Sequence, residues 1–290
     1  MHESLHIDEW LKDLRIHCAQ KAPNLLSLFD TYAAEARFGR QYVTADTSLL
    51  EQGAHILEIG AGALLLSCQL MREGYQVTAL EPTGSGFSHL EQLRALVLER
   101  ATALECVPRI LAISAEELNE KNTYKFAFSI NVMEHVNNVP VVIAKVCESL
   151  VPEASYRFTC PNYLFPYEPH FNIPTLFSKK ITQKLFSRSI FNSRTVIDPA
   201  GTWLSLNWIN VIQVARVASS INGVRAVFNK HLLVKTLERI IVDQDFANRR
   251  SPLARLIIST MVRFRAHTVF TFVPATLQPI MDCRLKKTIH

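Results

Sequence analysis

The chain has 290 residues, 48% of them apolar and 20% charged, with a formal net charge of +5. That is enough apolar material for one large α/β domain with insertions or for two small domains, and it excludes a disordered chain. The charge is mild, but basic residues gather late. From Gly201 onward thirteen Lys and Arg stand against four Asp and Glu, a bias compatible with nucleic acid, an anionic membrane, an anionic substrate or a plain solvated face.

The opening stretch MHESLHIDEWLKDLR is interrupted by Glu3, Asp8, Glu9 and Asp13 and is not expected to act as a secretory signal. Residues 1–50 read as an N-terminal helical cap. From about Ala54 short β-rich runs alternate with helical ones. Strands are expected at 54–60, 75–82, 109–114, 125–131 and 156–161, with helical runs over 63–73, 87–104 and 139–150 between them. This alternation predicts a mostly parallel sheet with helices on both faces. Two later runs, 223–230 and 279–287, complete seven strands, the last near a sheet edge. An irregular insertion rich in Pro and aromatics occupies 162–205, and a helical one occupies 232–270, where Leu233, Leu237, Ile240 and Ile241 recur at helical spacing. Residues 51–290 therefore read as one domain carrying two insertions.

The late apolar run LARLIISTMVRFRAHTVFTFVPA is cut by Arg255, Arg263, Arg265 and His267, so no membrane-spanning helix is expected. Six cysteines, at 18, 68, 106, 147, 160 and 283, form no CxxC pair. They read as reduced core thiols of a cytoplasmic protein, with no metal site expected.

The stretch HILEIGAGALLLS, residues 55–67, runs from a buried strand into a helix through Glu58, Gly60 and Gly62. Such a loop presents backbone N–H groups to a ligand. Ala63, Leu64 and Leu65 stand where a phosphate-binding P-loop needs Lys and Ser or Thr, which excludes that class. A dinucleotide loop would carry a third glycine where Leu65 stands, and Glu58 would repel a pyrophosphate while attracting a cation. Glu81 ends the second expected strand, where an acid can accept both hydroxyls of a ribose. The two acids together describe a ligand with a ribose, a positive end and no phosphate. S-adenosylmethionine has those features.

The segments ILEIGAG, VTALEP, ISAEEL and FAFSINVMEHV, in this order, resemble the class I S-adenosylmethionine-dependent methyltransferases. NVMEHV is similar to the small-molecule branch that includes the ubiquinone-biosynthesis O-methyltransferases. The resemblance covers residues 54–161 and implies a Rossmann-like fold. It implies that Glu58, Gly60 and Gly62 line the methionine end of the cofactor, and that Glu81 holds the ribose with Pro82 beside the adenine. It further implies that Ser114 and Ala115 meet the adenine edge, and that Asn131 and Val132 lie near the methyl group. Many relatives have Asp at the position of Ser114. Leu64 departs from the usual third glycine, and its side chain either parts the loop from the helix or packs beneath it.

Methyl transfer from a sulfonium needs alignment, desolvation and at most one base for an oxygen or nitrogen nucleophile. His135, shortly after the fourth strand, is the first candidate base, and Glu134 beside it reads as structural. The insert PNYLFPYEPHFNIP offers His170 as a second base, with Tyr163, Tyr167 and Glu168 as acceptor-binding residues on one pocket wall. The basic, apolar runs 179–188 and 250–265 could rest on an anionic membrane, making the protein peripherally membrane-associated, or could simply cover the core. Nucleic acid is not expected as a partner, because no basic-aromatic module is present. The resulting expectation is methylation of an oxygen or nitrogen on a small molecule such as a quinone, a glycan precursor or a lipid intermediate. The alternative is a cofactor-binding protein of little activity that serves as partner or scaffold.

Overall fold

The computed structural model describes residues 6–82, 88–176, 178–194, 196, 198–242, 247 and 252–288. Seven strands form a single sheet: β1 (His55–Ile59), β2 (Gln76–Leu80), β3 (Arg109–Leu111), β4 (Tyr124–Ile130), β5 (Leu150–Pro161), β6 (Val224–Phe228) and β7 (Ile280–Lys287). Their order is β3-β2-β1-β4-β5-β7-β6. The first five pair in parallel, while β7 runs antiparallel to both β5 and β6. β7 thus lies one strand in from the edge, which β6 takes. β3 ends earlier than expected because the chain turns at Ser114, whose backbone N–H and hydroxyl both donate to Glu117. β5 begins earlier than expected and absorbs a register shift opposite Tyr124 and Phe126.

Side chains along the central strands are buried on both faces and alternate between two cores as the pleat requires. Ile56, Phe126 and Phe128 join a core shared with the helices α1 (Ile7–Lys21), α2 (Leu26–Thr47), α3 (Leu65–Arg72) and α4 (Ser88–Ala103). Leu57, Ile59 and Ala127 face a second core with α5 (Val139–Ser149) and α8 (Val211–Ser220). The insert at 162–205 is less irregular than its composition suggests, since it contains α6 (Lys179–Phe191) and α7 (Pro199–Ser205). Asp198 caps α7 by accepting from the Gly201 amide at 2.9 Å, and Pro199 occupies its first turn. The later insertion holds α9 (His231–Val242), α10 (Pro252–Arg263) and a short 3₁₀ segment, Ala266–Thr271.

The N-terminal cap is fixed to the sheet by a buried ion network. Arg157 on β5 donates to Asp282 on β7 (2.8 and 3.1 Å) and to Asp46 and the Tyr42 carbonyl on α2 (2.8 Å each). The Tyr42 hydroxyl donates to Asp282 at 2.8 Å, and Arg284 pairs with Asp46. Removing one partner of such a set strands the remaining charge, at a cost of about 3–5 kcal/mol. The network therefore holds α2 across the carboxyl ends of β1 and β4. All six cysteines are buried and unpaired. Among the described residues, no helix is long and apolar enough to cross a membrane.

Candidate functional site

The loop from β1 to α3 is built from three left-handed backbone positions: Gly60 (φ +72°), Gly62 (φ +53°) and Leu64 (φ +66°). Gly60 is required twice over, because a Cβ there would lie 2.2 Å from a methyl of Val132. Gly62 faces open space on its Cβ side, leaving a concave backbone surface against which a ligand can settle. Leu64 keeps the conformation a glycine would adopt, and its side chain packs fully buried beneath the loop. The departure in sequence therefore leaves the path of the loop unchanged and does not plug its concave side.

Glu58 projects from the end of β1 and is 7% exposed. The Ser67 hydroxyl donates to it. Burial pushes Glu58 up to about 8, with Ser67 opposing the rise and the Glu81 charge adding to it. A carboxyl in this condition favours a cation that would let it ionise. Glu81 accepts a hydrogen bond from the Gly62 amide at 2.9 Å and pairs with Arg94 on α4 at 3.5 Å. Arg94 also donates to the Gly62 carbonyl at 3.0 Å. Burial raises Glu81 as well, opposed by the Gly62 amide and by Arg94.

A cavity of about 90 Å³ lies over the loop, lined by Glu58, Gly60, Gly62 and Asn131 together with Tyr32 and Glu35 from α2. Burial pushes Tyr32 up to about 12, reinforced by Glu35 and Glu81, so its hydroxyl remains a donor at neutral pH. The sequence reading missed Ser67, Arg94, Tyr32 and Glu35. The expected rim residues sit at neighbouring strand ends. Pro82 follows Glu81, and Ser114 with Ala115 forms the turn after β3. Asn131, left-handed at φ +54°, and Val132 leave β4. Of the expected cofactor residues, Glu81, Pro82, Ser114, Ala115 and Val132 do not line the cavity, and the Ser114 hydroxyl is committed to Glu117.

Past β4, the second cluster comes together. The Asn207 side chain donates to the Met133 and Val136 carbonyls at 2.7 and 2.8 Å, and its backbone N–H to the Glu134 carbonyl at 2.8 Å. This fixes the MEHV segment. His135 and His170 meet edge to face, ring centres 5.3 Å apart. His135 Nδ1 lies 2.7 Å from the Ser205 hydroxyl, and His170 Nδ1 lies 2.6 Å from Glu168. Burial lowers His135 to about 4, helped by His170. For His170, burial acts against the imidazolium, but Glu168 and Glu134 outweigh it and raise the group. Tyr163 stacks on Trp208 at 4.5 Å and donates to Glu168 at 3.3 Å. The Tyr167 hydroxyl, on an exposed side chain, donates to Asn172 at 2.6 Å.

The sheet order and the turn of left-handed residues after β1 give the chain the Rossmann-like fold of the class I S-adenosylmethionine-dependent methyltransferases. More closely, it belongs to one family with an uncharacterized protein of Mycobacterium tuberculosis, 47% identical over 281 residues that cover 97% of this chain and 95% of the other. A ubiquinone biosynthesis O-methyltransferase of Vibrio cholerae is 30% identical over 106 residues, 37% of this chain and 41% of that protein. In fold, the chain is similar to an S-adenosylmethionine-dependent methyltransferase of Mesorhizobium loti. The TM-score is 0.51 at 11% identity, covering 84% of this chain and 96% of the other. No profile of an established protein family matches.

Proposed function

We propose that the protein binds S-adenosylmethionine over the β1–α3 loop and transfers its methyl group to an oxygen or nitrogen of a small-molecule acceptor. The observation that carries this reading is the acidic character of the loop cavity. Glu58 lies on its floor, Glu35 at its mouth, and Glu81 is bonded to the loop itself. A pyrophosphate would hold these carboxyls in their neutral form and gain nothing from them, whereas an ammonium would be stabilised by drawing Glu58 into its ionised form.

The residues fit the cofactor. The open side of Gly62 gives room for close approach, the raised Glu58 carboxyl ionises against a positive charge, and Glu81 stands at the strand end from which a ribose is held. The cofactor supplies a methyl group already activated by the sulfonium. What remains for the chain is to align the acceptor and exclude water. Tyr163, Trp208 and Trp203 form an aromatic cluster in the core next to the Glu168–His170 pair, with Trp203 and Trp208 5.6 Å apart edge to face. An oxygen or nitrogen acceptor would meet the chain at the His135–His170 cluster, where its proton is given up. The likeness of part of the chain to a ubiquinone biosynthesis O-methyltransferase favours a quinone as acceptor, with a glycan precursor or a lipid intermediate as the alternatives. Incubation with labelled S-adenosylmethionine and a metabolite extract tests the reading. Acceptor-dependent release of S-adenosylhomocysteine supports transfer, and binding without release favours a partner or scaffold role.

Contact with an anionic membrane is a second element of the proposal. On α10, Leu253, Leu256 and Ile257 are exposed, followed by Phe264 (75%) and Phe272 (82%). Arg263 and Arg265, both exposed, flank Phe264. Apolar groups beside arginines suit the boundary between headgroups and acyl chains.

A further inference from the structure

We propose that Glu134, His135 and His170 form a site for one divalent transition-metal ion at the acceptor end of the fold. Cysteine spacing gives no sign of it, because the site joins the turn after β4 to the insert through residues 35 positions apart. The three side chains offer a carboxylate oxygen and two ring nitrogens, all within 4.8 Å of one another. Around a tetrahedral ion such ligands stand roughly 3.4 Å apart, so side-chain rotations closing about an ångström complete the set.

Three further observations point to a cation. First, Glu134 is fully buried, yet no neighbouring residue donates a hydrogen bond to either of its oxygens. A buried carboxylate without donors is costly, and native proteins rarely keep one without a counter-ion or ligand. Second, the histidines already have the outer support that metal ligands need. Glu168 lies 2.6 Å from His170 Nδ1, so a metal that displaces the Nε2 proton meets a ring held in the carboxylate–histidine arrangement that orients a metal-bound imidazole. The Ser205 hydroxyl donates to the Thr202 carbonyl at 2.9 Å, so the 2.7 Å contact with His135 Nδ1 is made by an N–H of the ring. The Nε2 of His135 is then the lone-pair nitrogen, and it lies 4.0 Å from Glu134. Third, the backbone beneath the ligands is held by Asn207 at three carbonyls.

Two imidazoles and one carboxylate suit zinc, iron, manganese, cobalt or nickel better than magnesium, and three protein ligands leave at least one position open to an acceptor oxygen. The inference does not depend on cofactor binding, and it is tested without the cofactor. Chelator-treated full-length protein is titrated with Zn²⁺ by calorimetry, and with Co²⁺ by visible absorption, each against Mg²⁺. One equivalent of Zn²⁺ should bind, with a Co²⁺ d–d band and no comparable uptake of Mg²⁺. Glu134→Gln and His170→Gln should each weaken Zn²⁺ binding at least tenfold.

Thermal unfolding separates loss of a ligand from loss of fold. Without metal, Glu134→Gln should be at least as stable as the wild type, because the amide removes a stranded carboxyl. Zn²⁺ should raise the melting temperature of the wild type and leave that of Glu134→Gln unchanged. Absence of stoichiometric Zn²⁺ binding, or an equal Zn²⁺ response in both proteins, would overturn the site.

Discussion

Glu81 and Gly62 are joined across the mouth of the sheet by a 2.9 Å hydrogen bond from the amide of one to the carboxylate of the other. The acid from β2 thereby helps to shape the loop that follows β1. Removing the side chain should act twice, on the ribose and on the loop. Glu81→Ala forfeits hydrogen bonds to a charged acceptor, each worth roughly 1.5–3 kcal/mol. Calorimetry should show S-adenosylmethionine affinity reduced tenfold or more. Unchanged affinity would mean that the ribose is held elsewhere.

Glu58 gives a pH signature. Its folded value of about 8 lies above its ordinary 4.5. Between those values the folded state holds a proton that the unfolded chain has released. Its contribution to stability is therefore complete below pH 4.5 and is lost as pH rises through 8. Glu58→Gln removes that dependence. The melting temperature of the variant relative to wild type should climb from pH 5 to 8 and level off above, as read by thermal unfolding across the range. Parallel curves would show Glu58 ionised with no penalty.

Leu64 sets two effects against each other. Its left-handed backbone costs roughly 1–2 kcal/mol that glycine would not incur. Its buried side chain would forfeit roughly 2–5 kcal/mol on truncation. Packing wins, so Leu64→Gly should destabilise the fold by about 1–3 kcal/mol in urea unfolding. A more stable variant would mean that the side chain contributes little to the core beneath α3.

The exposed apolar face of the second insertion makes a further claim testable. The protein should co-sediment with vesicles containing anionic phospholipid and not with purely zwitterionic ones. A Phe264→Ser and Phe272→Ser double variant should lose most of that binding. Equal recovery of wild type and variant would reduce the face to an ordinary surface.

The sequence made the β1–α3 loop legible because its determinants are local. Glu58, Gly60 and Gly62 lie within five residues, between an apolar strand and a helix. Glu81 followed from the same reasoning one strand later. Leu64 was visible as a departure, but its left-handed backbone was not, because spacing carries no dihedral angle. Tyr32 and Glu35 reach the cavity through the docking of α2, which core packing holds and which Arg157 ties to β7 through Asp46 and Asp282, a link spanning more than a hundred residues. Arg94 depends likewise on how α4 docks. His135 was singled out on its own, and its meeting with His170 and Glu134 depends on how the aromatic insert folds back over the turn after β4. Glu134 read as structural from its place beside His135, and only its burial without donors makes it a chemical group.

The most direct measurement is calorimetric titration of the purified protein with S-adenosylmethionine and, separately, with NADH. Saturable one-to-one binding of S-adenosylmethionine, abolished or strongly weakened in Glu81→Ala and absent for NADH, is the predicted result. Binding of NADH in its place, or of neither compound, would contradict an acidic cavity built for a cationic adenosine ligand.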